Sequence, residues 1–99
     1  MARLIEFSRR STNQLQKILT FYDERNGSDV YSRRLLKCLL DEVNRIAINP
    51  TIGSPSTRLD VRFFFMMGFT VVYRFNTKKV AVLSIRSSAR RPLKVYQKQ

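Results

Sequence analysis

The sequence predicts an α+β fold of order β-α-α-β-β-β, in which a helical hairpin packs on a small, mainly antiparallel sheet. Three observations lead there. Two stretches between residues 12 and 48 repeat their apolar residues with the period of an amphipathic helix. Three segments after residue 60 alternate apolar and polar residues as strands do. The links inside each group are so short that neighbouring elements must run antiparallel.

Residues 2–8 read as an opening strand, with Leu4 and Glu6 on one face and Ile5 and Phe7 on the other. Ser11 is placed to cap a helix from about Thr12 to Arg25, whose Leu15, Ile18, Leu19 and Tyr22 form one stripe. Asn26-Gly27-Ser28 ends it, and Asp29 can cap a second helix from Val30 to Ile48. That helix carries Tyr31, Leu35, Leu36, Leu39, Leu40, Val43, Ile46 and Ala47, a face broad enough for both its partner helix and a sheet. The run Asn49-Pro50-Thr51-Ile52-Gly53-Ser54-Pro55 stops it and forms a loop. Strands follow near residues 60–66, 69–76 and 80–86, joined by turns at Met67-Gly68 and Asn76-Thr77-Lys78-Lys79, an antiparallel meander. Pro92 can start a last helical turn carrying Leu93, Lys94, Val95 and Tyr96.

A chain of 99 residues is expected to make one domain, residues 1–99, with one modest core. At 43% hydrophobic and 11% aromatic its composition is globular. The single cysteine, Cys38, has no partner for an internal disulfide and sits among leucines as a small core residue. No apolar run approaches the roughly 20 residues of a membrane span, and no signal peptide is visible, so a reducing cytoplasmic setting without membrane contact is expected. The formal net charge of +12 is not evenly spread. From Val61 to Gln99 there are nine Lys or Arg and no acid; all seven acids lie earlier, the last being Asp60. A sheet carrying a one-signed field is suited to a polyanion, nucleic acid foremost. The sheet face away from the helices, with the strand ends, is expected to be concave and basic.

The residue inventory excludes most catalytic chemistries. With no His and one Cys, a zinc site, a Cys-His pair and a Ser-His-Asp triad are ruled out, and no cofactor or metal is implied. Asp23-Glu24 and Asp41-Glu42 are adjacent pairs that diverge around a helix axis and read as solvated faces. No phosphate-cradling glycine loop exists among Gly27, Gly53 and Gly68. Arg, Lys and Tyr remain. They can cleave RNA without metal, because the 2′-hydroxyl supplies the nucleophile while Arg clamps the phosphate and a Tyr flanked by cations carries protons. Tyr96, with Arg90, Arg91, Lys94 and Lys98 nearby, is a candidate for that role, or else packs its ring beside Val95 and Leu93. Arg62 and Arg74 alternate with apolar neighbours, so each is expected to point away from the core, to line a phosphate track or to keep the sheet soluble. Phe63 to Phe65 places aromatics on both sheet faces; those off the core can stack bases or cover a partner.

The opening strand ending Phe7-Ser8, the hairpin, Asn49 to Pro55, Val61-Arg62, Gly68-Phe69-Thr70-Val71-Val72-Tyr73-Arg74 and the close Val82 to Pro92 with Tyr96 beyond it together resemble the toxins of the RelE/ParE superfamily. The resemblance implies the toxin of a type II toxin–antitoxin pair, held inactive by a small acidic antitoxin that covers apolar sheet or hairpin surface, with a homodimer as another way to cover it. RelE-like members cut messenger RNA on the ribosome; ParE-like members keep the fold, lack the cutting residues and poison DNA gyrase. Carried over by position, Arg90 and Tyr96 fall at the RelE-like C-terminal Arg and Tyr. The RelE-like Lys pair falls near Val61 and Phe63, and the Arg after the turn glycine at Thr70, so half that set is absent. Ala89-Arg90-Arg91-Pro92 and the long hairpin look ParE-like. The resemblance thus implies ribosome-dependent mRNA cleavage, with Arg90 as charge clamp, Tyr96 as proton carrier or stacking ring, Arg62 as partial substitute for the missing Lys, and Arg74, Arg86, Arg91 and Lys94 on the RNA backbone. The alternative is a non-catalytic gyrase inhibitor.

Overall fold

A computed structural model of the chain describes residues 2–88. Its elements are β1 (Leu4–Phe7), α1 (Arg9–Asn26), α2 (Val30–Ile48), a 3-10 turn (Pro50–Ile52), β2 (Ser54–Pro55), β3 (Val61–Met66), β4 (Phe69–Phe75) and β5 (Lys79–Ser87). Both helices lie on one face of a five-stranded sheet of order β1-β5-β4-β3-β2. β1 runs parallel to β5 and the other pairs are antiparallel. The expected architecture is therefore present, with one strand more than the sequence displays: β2 is two residues long and carries no periodicity to read. The helical turn expected at Pro92 lies outside the described residues.

Local chemistry sets the ends of the helices. α1 starts earlier than expected, because Ser8 and not Ser11 is its N-cap. Ser8 leaves β1 in an extended conformation, and its Oγ accepts from the Ser11 amide at 3.0 Å. Ser11 lies buried in the first turn and donates its hydroxyl to the Val82 carbonyl at 2.9 Å. Gly27, at φ 67°, closes α1 in the left-handed conformation that a Cβ disfavours. Asp29 occupies the N-cap position of α2, but its carboxylate bonds Arg33 at 3.0 Å instead of the helix amides. The buried stripe of α2 is Ser32, Leu35, Leu39, Val43, Ile46 and Ala47. It is narrower than expected: Leu40 is 42% exposed, and Cys38 is half-buried at the flank rather than in the core.

Against that stripe the sheet buries Phe64, Phe69, Val71, Tyr73, Val80, Val82 and Ile85. Tyr22 bridges hairpin and sheet, its ring centroid 4.6 Å from Tyr31 and 6.4 Å from Phe69. Met67 and Gly68, at φ 47° and 82°, form the tight turn between β3 and β4. A bulge interrupts the β4–β5 ladder, where Val72 pairs with Ser84 but Tyr73 pairs with Val82, leaving Leu83 as the extra residue. Polar side chains of the α1 end satisfy backbone near the bulge: Ser8 Oγ donates to Leu83 O at 3.0 Å, and Gln14 Oε1 accepts from Ile85 N at 2.8 Å. Among the described residues no helix is long and apolar enough to cross a membrane.

Candidate functional site

Residues directly opposite one another in neighbouring strands share a face, so the register assigns every side chain of the sheet. Phe64, Val71 and Ile85 lie in one row across β3, β4 and β5, under the helices. The next row, Phe65–Thr70–Arg86, therefore lies on the outer face, which neither helix covers. Phe63–Val72–Ser84 follows, then Val61–Arg74–Ala81–Glu6.

This outer face has two unlike ends. At the Glu6 end the charges are tied into ion pairs. Arg74 Nε donates to Asp60 at 3.1 Å, Arg58 bonds the same carboxylate, and Lys79 pairs with Glu6 at 3.2 Å around a shallow depression of about 330 Å³. The Arg58 guanidinium, with Arg74 beside it, holds the Asp60 carboxyl below its ordinary pKa, so the pair is fully ionised near neutrality. At the other end stand Phe65, 64% exposed and edge-to-face with Phe63 at 5.5 Å, the half-buried Thr70, and exposed Arg86. Among the described residues Arg86 makes no ion pair.

The arginines expected to act together are thus separated. Arg86 is exposed in the outer row. Arg74 also points outward but is occupied by Asp60. Arg62 departs from the expectation that it points away from the core. It pairs with Tyr73 in the inner row, is half-buried, and donates from Nη1 to the Gly53 carbonyl at 2.7 Å, while its Nε is buried without a partner. The reason is parity. In Val61–Met66 the residue that reaches the core is Phe64, so Arg62 and Met66 share its side and Val61, Phe63 and Phe65 take the other. Three aromatic residues in a row hide that parity in the sequence. Arg90, Arg91, Lys94 and Tyr96 lie outside the described residues.

Tyr73, which sequence reasoning passed over, anchors the loop that Arg62 also holds. Its hydroxyl donates to the Pro50 carbonyl at 2.5 Å and accepts from the Gly53 amide at 3.1 Å. Burial raises its pKa, outweighing the lowering by the Gly53 hydrogen bond and Arg62, so it stays a neutral structural phenol. The available signal was Gly53 itself, in a loop between two prolines.

A second concavity, a groove of about 410 Å³ between α1 and the ends of β4 and β5, is lined by Lys17, Ile18, Phe21, Tyr22, Phe69 and Ile85. Among the described residues no group of three or more His, Cys, Asp or Glu is placed to hold a metal.

Residues 5–92 match the family model described as ParE toxin of type II toxin-antitoxin system, parDE. Among solved structures, a chain of the chromosomal ParDE toxin–antitoxin system from P. aeruginosa superposes with a TM-score of 0.72 at 18% identity, covering 87% of this chain and 96% of that one. Chains from two structures of the E. coli DinJ–YafQ complex superpose with TM-scores of 0.53 and 0.52 at 16% and 18% identity, covering 90% and 88% of this chain and 96% and 94% of theirs. No curated protein matches the sequence.

Proposed function

Since the chain belongs to the ParE toxin family of type II toxin–antitoxin systems, we propose that it arrests growth as a non-catalytic inhibitor of DNA gyrase. The observation that carries this reading is the chemistry of the outer face. The positions where the RNA-cutting cations would fall, Val61, Phe63 and Thr70, share that face with Arg86, and they carry no charge. Arg62, the one cation nearby in sequence, is turned to the inner side and bonded to Gly53. Among the described residues a phosphorane would meet one cation there outside an ion pair, Arg86, since Arg74 and Lys79 are held by Asp60 and Glu6, where clamping and proton transfer call for several groups in concert.

The antitoxin partner is proposed to be acidic, with an apolar segment that covers hairpin or sheet surface, because the free toxin carries +12 and leaves Phe21 more than half exposed. The α1 groove, apolar with Lys17 on its rim, suits such a segment.

The uncompensated charge of residues 61–99 favours a second reading, ribosome-dependent mRNA cleavage through Arg90 and Tyr96. Two reactions separate them. Purified toxin added to a gyrase supercoiling reaction is expected to stop it at near-stoichiometric amounts. A cell-free translation reaction with a defined message, mapped by primer extension, is expected to show no new 5′ ends. Discrete ribosome-dependent cuts with gyrase unaffected would reverse the assignment and return Arg90 and Tyr96 to the centre.

A further inference from the structure

We infer that the Phe63–Phe65–Arg86 corner of the outer sheet face holds an unpaired nucleic-acid strand, gripping it without cutting. Phe63 and Phe65 are two residues apart on β3, so they rise side by side from the same face, about 6.6 Å apart along the strand. Their rings meet edge to face, which leaves a face of the more exposed ring, Phe65, open to a base. Straight across the sheet from Phe65 stand Thr70 and then Arg86, two strand spacings or about 9.6 Å away at the backbone. A long Arg side chain spans part of that gap toward a phosphate whose base lies on Phe65.

Charge favours a nucleic acid over an apolar protein patch. The row beside Phe65 is a hydroxyl and a cation, not a continuation of apolar surface. The two acids that touch this face, Glu6 and Asp60, stand at its other end and are already in ion pairs. The chain leaves this corner through Ser88 into a segment with four more cations, Arg90, Arg91, Lys94 and Lys98, and no acid. An unpaired strand is favoured over a duplex because a stacking ring needs a free base face, which a duplex keeps buried in its own stack.

The inference does not depend on whether the toxin's target is gyrase or the ribosome, and its test uses neither. Full-length toxin freed of antitoxin is titrated onto a fluorescein-labelled 12-nucleotide oligothymidine and onto a 12-base-pair duplex, with anisotropy read over a range of salt. Phe65 is exposed, so its variants are expected to fold. Phe65→Leu, which keeps apolar area but loses the ring, is expected to weaken single-strand binding about tenfold with duplex binding unchanged. Phe65→Tyr is expected to bind as wild type. Arg86→Gln is expected to lower the slope of log K against log salt by about 0.7, one phosphate contact. Single-strand binding that is indifferent to Phe65→Leu, or that falls equally for strand and duplex, overturns the inference. So does loss of binding to an acidic Glu/Leu peptide with the oligonucleotide affinity intact, which would assign the corner to a protein partner.

Discussion

Arg62 and Arg86 belong to one sheet, yet the two faces put them to opposite uses. On the inner face Arg62 is bonded into a lock: Arg62 Nη1 to Gly53 O, Gly53 N to Tyr73, Tyr73 to Pro50 O, with the Arg62 Nε left without a partner. On the outer face Arg86, in no ion pair among the described residues, stands across Thr70 from the exposed Phe65. The two side chains carry the same charge; what differs is whether the backbone of a loop arrives to take up the hydrogen bonds. A cation on a strand is functional or structural according to parity and to what the neighbouring loop covers, and residue type alone does not tell which.

The lock is where the comparison breaks most easily. Gly53 has no room for a side chain: a methyl there would overlap the Tyr73 hydroxyl and sit 2.9 Å from two of its ring carbons. Gly53→Ala is therefore expected to cost about 3 kcal/mol, the upper range for forcing an atom into a packed site, read as a lower midpoint in urea unfolding. Tyr73→Phe removes the hydroxyl and leaves the Pro50 carbonyl and Gly53 amide to find other partners, for about 1.5 kcal/mol. Combined, the two changes are expected to cost clearly less than their sum, since the hydroxyl is the nearest atom in the clash. Full additivity would mean that loop and ring move apart rather than collide.

The same phenol gives the lock a pH dependence. Its folded pKa is raised, so its contribution is whole below the ordinary tyrosine value near 10 and is lost as pH climbs through the folded value. Wild type is expected to lose stability more steeply than Tyr73→Phe as the pH rises above the ordinary tyrosine value of 10.0. Parallel curves for the two proteins would remove Tyr73 from the account.

Arg62 tests which face does the work. If its guanidinium serves the loop, Arg62→Met, which keeps the packed stem, lowers stability by about 1 kcal/mol and leaves inhibition per folded molecule within twofold of wild type. Unchanged stability with inhibition lost would move Arg62 into the functional machinery, as the family resemblance had it.

Much of this architecture was legible in the sequence, and the exceptions have physical causes. Leu15, Ile18, Leu19 and Tyr22 on α1, and Leu35, Leu39 and Val43 on α2, are spaced as helical stripes must be, and Met67-Gly68 is the turn its residues imply, so hairpin and meander could be read directly. β2 escaped because two residues have no period. The cap of α1 was misplaced because Ser8 and Ser11 both offer a hydroxyl, and only the exit from β1 decides between them. For the candidate site the residue types were legible and their grouping was not. Phe63-Phe64-Phe65 is apolar at both parities, so the side taken by Arg62 depended on register with β4, a contact far along the chain.

The smallest expected effect lies at the ion-paired end of the outer face. Asp60 pairs with Arg74 and Arg58 at once, and its lowered pKa means that this holds from neutrality down past the ordinary carboxylate range, lapsing only as pH falls through the folded value. Asp60→Asn removes one negative charge and releases two guanidinium groups on the face where Arg86 already stands uncompensated. The surface pairs contribute little to folding, so the variant is expected to keep its unfolding midpoint. Its affinity for the labelled oligothymidine is expected to rise severalfold at low salt, with a slope against log salt steeper by about 0.7 for each phosphate newly contacted. A rise confined to low salt and shared equally by the duplex would show that Asp60 only tunes the general field of a +12 protein. A rise larger for the single strand would extend the gripping surface from Phe65 and Arg86 across the full face to Arg74.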